Sequence, residues 1–188
     1  MSEANYENRQ QLHMRSWPEL WDAWGNVMAT VKGSTELPSM LKMEIFTIAS
    51  IAGGCRHCQS HGARGLHKQG AEQARIEELW NYERSTLFTD AEKAAFELAR
   101  ASSQCPNAAG PEHFVELRKY YSERQIVDIL AEICRAAWLN RWNDTVATVT
   151  DQASVDWANE NLRSVGWDLG KHQGQAHEMA MPPGVAPK

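Results

Sequence analysis

The chain has 188 residues, 43% hydrophobic and 23% charged, which fits one globular domain large enough to bury a core of its own. A formal net charge of −5 with no basic run argues against a nucleic-acid surface. The N-terminus, Met-Ser-Glu-Ala-Asn-Tyr-Glu-Asn, has no basic region leading into an apolar one. The longest apolar stretch (45–52) is interrupted by Thr47 and Ser50 and is too short to span a bilayer. A cytoplasmic protein without a membrane segment is the expectation.

The punctuation along the chain is helical. Ser16-Trp17-Pro18-Glu19 combines a capping-box pattern with a proline in the first turn, and predicts a helix that carries Leu20, Trp24, Val27 and Val31 to Gly33. A second helix starts near Pro38, places Leu41, Ile45, Ile48 and Ala52 on one face, and ends at Gly53-Gly54. A third covers 55–70 and a shorter one 71–80. Thr89-Asp90-Ala91-Glu92 is a capping box that opens a helix to about residue 102, and Pro111 starts a short helix towards Tyr120. Ser122 caps the longest helix, with Ile126, Leu130, Ile133 and Ala137 as its stripe. A final helix spans 154–163. Strand alternation is absent throughout, so the chain reads as all-α: one helical domain over 1–166, then an extended or disordered tail over 167–188, rich in glycine, proline and polar residues.

Residues 53–61, Gly-Gly-Cys-Arg-His-Cys-Gln-Ser-His, carry the chemistry. Cysteines three apart share a helix face and lie close enough for a disulfide at the first turn. The helix N-terminus and neighbouring imidazoles both favour a thiolate. In a reducing cytoplasm such a pair is catalytic or metal-binding more often than a static staple. A thioredoxin-like site would follow a strand, and a c-type haem site would need histidine where Gln59 stands, so neither fits. Half of a zinc site is the competing reading, with Cys105 and His113 as the remaining ligands, although their spacing is not a usual one. His61 lies three residues after Cys58, and His57 between the cysteines. Glu44 shares a face with Leu41 and Ile48, which turns its carboxylate towards the core, where it needs a partner.

These residues resemble the carboxymuconolactone decarboxylase superfamily, specifically its alkylhydroperoxidase AhpD-like, peroxidase-related branch. The resemblance rests on the helical glutamate, on Cys55-Arg56-His57-Cys58 and on the histidine just after them. It continues in Phe88-Thr89-Asp90-Ala91-Glu92 and Asn140-Arg141-Trp142-Asn143-Asp144, and so covers residues 35–150. It implies an orthogonal helical bundle with the Cys-x-x-Cys at a helix N-terminus, assembled as a homo-oligomer (trimer or hexamer). It implies a thiol peroxidase that reduces hydrogen peroxide or organic hydroperoxides, needs no cofactor or metal, and is recharged by a dithiol or protein reductant. By the family's order of roles Cys58 is peroxidatic, Cys55 is resolving, and His61, Glu44 and His57 form a proton relay. In the family's spacing the histidine falls on Gly62 and the glutamate on Met43. Each one-residue step turns a helical side chain by about 100°. Two other readings compete: a decarboxylase-type proton transfer by His61 and Glu44, and a non-enzymatic zinc-binding or redox-sensing module.

Elsewhere, Cys134 reads as a small core residue, and His13, His67, His172 and His177 as surface residues. Trp17, Trp21 and Trp24 repeat at helical spacing and predict a packing face, with an aromatic pocket or a subunit interface as alternatives. Asn140 and Asp144 put polar groups on the stripe of the long helix and read as structural glue.

Overall fold

A computed structural model of the protein describes residues 14–173, which form eight α-helices and three short 3₁₀ turns, with no strand among the described residues. The helices are α1 (Pro18–Gly33), α2 (Ser39–Ala52), α3 (Arg56–Lys68), α4 (Gln73–Glu77), α5 (Asp90–Ser103), α6 (Pro111–Leu117), α7 (Glu123–Thr145) and α8 (Gln152–Asn161). None of them is long and apolar enough to cross a membrane. His13, His177 and the tail from residue 174 onward lie outside the described residues.

The centre of the bundle is α2, packed against α3, α5 and α7. Ile45, Phe46, Ile48 and Ala49 supply its apolar surface, yet Lys42, Glu44, Thr47 and Ser50 are buried beside them. Helix enclosure forces these polar groups to find partners inside. Thr47 Oγ1 donates to the Met43 carbonyl and Ser50 Oγ to that of Phe46, each at 2.8 Å. Lys42 Nζ donates to the carbonyls of Val31 (2.5 Å) and Ser34 (3.0 Å), where α1 runs out of internal donors. On the α5 side Phe96 sits edge-on to Tyr82 and Phe88, with centroids at 5.6 and 5.1 Å.

Both predicted capping boxes, at Thr89 and Ser122, are formed. The predicted helix over 71–80 is split, because α4 ends at Glu77 and tightens into a 3₁₀ turn, Glu78–Asn81. On α7 the buried stripe is Ile126, Ile129, Ile133, Ala136, Asn140 and Asn143. It is rotated from the expected one, so Ala137 is exposed, and Cys134 lies on the outer face rather than in the core.

The expected tryptophan face on α1 does not form a core contact. No residue of α1 is buried, and Trp17, at 60% exposed, is its N-cap without a side-chain cap, in place of the Ser16 box. With α3, α5 and α7 already covering α2, α1 packs mainly on the outer side of α7, where Trp24 stacks on Trp138 at 4.6 Å. The segment after α8 also departs from expectation. Residues 167–173, read as the start of a loose tail, pack onto α3 and α7 as a strap with Trp167 and His172 buried.

Candidate functional site

The site begins where α2 turns into α3. Gly54 adopts φ +75°, a left-handed conformation that favours glycine, and this lets the chain reverse within two residues. Cys55 is the N-cap of α3: its Sγ, in place of the usual hydroxyl or carboxylate oxygen, accepts from the Cys58 amide at 3.4 Å. One turn on, Cys58 places its own sulfur 3.0 Å from that of Cys55. Both thiols are free and buried.

The pair is electrically lopsided. The Cys58 thiol, hydrogen-bonded to Cys55, does most to lower the Cys55 pKa to about 6; burial opposes this, while His172 and the Cys58 amide add to it. Cys58 is pushed well above the usual thiol range, first by burial and then by its bond and charge interaction with Cys55. Asn143 Nδ2, 3.6 Å from Cys58 Sγ, only partly offsets that. The pair is therefore asymmetric, with Cys55 the more acidic thiol and Cys58 the less acidic one.

Three imidazoles gather around the thiols. His57 is buried on α3 with Nδ1 3.0 Å from Thr150 Oγ1, and burial followed by the charges of His61 and His172 holds it neutral. His61 is half-exposed one turn further, its ring 4.4 Å from that of His57 and its Nε2 3.1 Å from Asp151 Oδ2. Asp151 also caps α8 by accepting from the Ser154 amide at 2.9 Å, and its carboxyl lies well below the usual range because of His61. The third ring is His172 from the strap. Far from being a surface residue, it is 1% exposed, with Nδ1 2.8 Å from the Thr148 carbonyl and Nε2 3.5 Å from Asp144 Oδ1. Burial lowers its pKa, but interactions with Cys55, Thr148 and Asp144 outweigh that and leave it raised.

Of the expected site residues, Cys55, Cys58, His57 and His61 are brought together; Glu44 is not. Its carboxylate is buried and gripped bidentately by Arg75, with Nε at 2.6 Å and Nη2 at 3.1 Å. Arg75 lies over the Phe88 ring and also binds Glu92 (2.6 Å). The Phe88–Glu92 segment therefore closes a structural ion-pair network. The shifted spacings have packing causes. A Cβ at Gly62 would lie 2.5 Å from Thr47 Oγ1, so no side chain fits there while α2 and α3 keep this approach. Met43 packs against Gly65 on α3, which turns its neighbour Glu44 away towards Arg75. For zinc, Cys105 is exposed and His113 Nδ1 is engaged at Gly110, and no three ligand side chains converge among the described residues.

Asn143 and His172 escaped the sequence reading. Asn143 lies three residues after Asn140 on the same buried stripe, a signal that was present. Asn140 itself holds α7 to the turn, with Oδ1 3.0 Å from Ser50 Oγ and Nδ2 donating to the Ala49 carbonyl at 3.2 Å. For His172 the sequence hint is Trp167, a large apolar residue at the head of an otherwise polar tail.

Comparisons with known proteins bear on the family and the fold. Residues 18–101 match the model of the carboxymuconolactone decarboxylase family. No protein of curated function matches the chain by sequence. Among solved structures, the debrominase Bmp8 in its apo form is 31% identical with a TM-score of 0.74, covering 78% of this chain and 79% of that one. It has also been solved as a cysteine-to-alanine variant in complex with 2,3,4-tribromopyrrole. A protein of unknown function from Agrobacterium tumefaciens that carries the AhpD antioxidant-defence name is 23% identical, with a TM-score of 0.66 and coverage of 71% and 91%. The AhpD core of an uncharacterized peroxidase-related protein from Ralstonia eutropha shares the fold at 15% identity, with a TM-score of 0.68 and 81% of each chain covered. The chain belongs to the carboxymuconolactone decarboxylase family, and it shares its fold with AhpD-like proteins.

Proposed function

We propose that the protein is a dithiol-dependent peroxidase that reduces hydrogen peroxide or organic hydroperoxides through Cys55 and Cys58. The observation that carries the reading is the 3.0 Å sulfur pair at the N-terminus of α3, in which Cys55 is the more acidic thiol. In this scheme the family's order of roles is reversed. The Cys55 thiolate attacks the distal peroxide oxygen, an S–O bond forms, the O–O bond breaks, and the departing alkoxide takes a proton to become an alcohol. Cys58 then attacks the sulfenic sulfur, the disulfide closes, and hydroxide leaves with the Cys58 proton as water. A dithiol or protein reductant returns two electrons and two protons. His57 and His61 offer proton transfer next to the pair, whereas Glu44 is engaged elsewhere. Exposed Trp17 and Val27 at α1 and Trp138 on α7 offer apolar surface for assembly of a homo-oligomer, trimer or hexamer.

The test is a titration of reduced protein with one equivalent of hydrogen peroxide, followed by mass spectrometry. The Cys55–Cys58 peptide should lose two hydrogens; Cys58→Ser should stop at a sulfenic acid on Cys55, and Cys55→Ser should not react at that peptide. A sulfenic acid on Cys58, or oxidation confined to Cys105 and Cys134, refutes the assignment.

A second reading is favoured by the 31% identity to a debrominase. The same dithiol would reduce a brominated aromatic: the thiolate takes the bromine, the ring carbon takes a proton, and Cys58 displaces bromide to form the disulfide. Bromide release from 2,3,4-tribromopyrrole, assayed beside peroxide consumption, decides between the two substrates.

A further inference from the structure

The strap is polar in composition, yet it is fastened in several places close to Cys55. Trp167 Nε1 donates to the carbonyl of Arg56, the residue that follows Cys55, at 3.1 Å. Asp168 Oδ2 lies 3.6 Å from the Arg56 guanidinium, and Lys171 Nζ lies 2.6 Å from Asp144 Oδ2. The Thr150 amide donates to the His172 carbonyl at 3.2 Å, which fixes the backbone directly beneath the ring. These attachments serve one buried side chain.

The orientation of that side chain is decided by chemistry. A carbonyl only accepts, so the 2.8 Å contact with Thr148 O requires a proton on Nδ1 of His172. Nε2 is then the nitrogen free to take and give a proton. It is buried without an aligned hydrogen-bond partner, 3.5 Å from Asp144 Oδ1, and its ring lies 5.7 Å from that of His57, the residue between the two cysteines. His172 and Cys55 accordingly shift each other's pKa, the imidazole upward and the thiol downward. A ring placed only for packing gains nothing from an unsatisfied buried nitrogen, since such a group has lost its water without replacement. A ring that alternates between imidazolium and imidazole opposite a sulfur that alternates between thiolate and disulfide needs that nitrogen.

We infer that His172, delivered by the strap 167–173, is the acid–base partner of Cys55, with the Thr148 carbonyl fixing its tautomer and Asp144 supporting its charged form. His172 takes the Cys55 proton to generate the nucleophile. As the S–O bond forms and the O–O bond breaks, Nε2 returns that proton to the departing alkoxide, and Cys58 supplies the proton for the water released on disulfide closure. The inference rests on the dithiol reading above but not on peroxide as the substrate. The charged and titratable groups around the pair are Cys58, His57 and His61 on α3, Asp144 at the end of α7, Asp151 at the start of α8, and Lys171 within the strap.

The experiment measures alkylation of Cys55 by iodoacetamide against pH, by peptide mass spectrometry, in reduced wild-type, His172→Ala and His172→Gln proteins. Wild-type Cys55 should react with a midpoint near 6. Both variants should move that midpoint upward, slowing alkylation at pH 6 by about tenfold since Cys58 still lowers the Cys55 pKa, with the curves converging in alkali. Superimposable curves overturn the inference. Should neither variant fold, side-chain nitrogen NMR on wild-type protein at neutral pH decides the matter: His172 should be doubly protonated in the dithiol form and singly protonated, at Nδ1, in the disulfide form. An unchanged protonation state across the two redox forms refutes the pairing. Because alkylation requires no peroxide, a protein that shows the pH shift but consumes no peroxide rejects only the substrate assignment.

Discussion

The two ends of the described chain contradict their own hydropathy. Helix α1 carries Leu20, Trp21, Trp24, Val27, Met28 and Val31, yet none of its residues is buried. The strap is mostly polar and charged, yet it buries Trp167 and His172 completely enough to count with the core. Apolar surface is non-directional, so α1 settles wherever room is left, on the outer side of α7. The strap is placed by directional bonds to particular backbone atoms, at Arg56, Thr148 and Thr150. Burial in this protein follows partners as much as apolarity.

The contrast breaks most readily at Trp167. Trp167→Ala should cost about 3–5 kcal/mol in urea denaturation, as for other buried tryptophans, and should also shift the pH profile of Cys55 alkylation upward as the strap loosens. A variant as mild as one in α1 would mean that the strap is not part of the folded core. Arg75→Ala supplies the reference for a purely structural loss. Leaving Glu44 buried without its partner should cost ~3 kcal/mol, while the Cys55 profile stays in place.

A pH series sharpens the same contrast. Thiolate is lost as pH falls through about 6, and the imidazolium of His172 is lost as pH rises through its elevated pKa. The ionic pair therefore exists only between those limits. Amide exchange at Thr150, whose N–H is bonded to the strap, should be slowest inside that window and accelerate on both sides, beyond the intrinsic pH dependence of exchange. Amides in the middle of α1 should follow the intrinsic dependence alone. The smallest effects belong to α1: Trp24→Ala should cost ~0.5–1.5 kcal/mol through lost stacking on Trp138, and Trp17→Ser within about 0.5 kcal/mol of zero.

What was legible in the sequence was local. The capping boxes at Thr89 and Ser122, the stop at Gly53-Gly54 and the thiol pair at one helix N-terminus are all set by residues within a turn or two of one another. What was not legible depended on distant partners. Glu44 meets Arg75 from 31 residues away, Asn143 reaches Cys58 across 85, and Trp167 binds Arg56 across 111. Helical periodicity correctly directed Glu44 inward, but it cannot say which neighbour waits there. It likewise gave α7 a stripe one step off, because the choice between Leu130 and Ile129 is made by α2 and α3.

The placement of the four cysteines has one more consequence. Cys105 and Cys134 lie open at the surface, while Cys55, whose pKa its neighbours lower, is fully buried. Bulk and reactivity are thereby sorted in opposite directions. A large electrophile is met by the outer sulfurs and stopped there, whereas one small enough to slip between side chains finds the stronger nucleophile. On the dithiol reading proposed above the fold acts as a sieve, and the dimensions of what can pass it bound the range of molecules that Cys55 can meet.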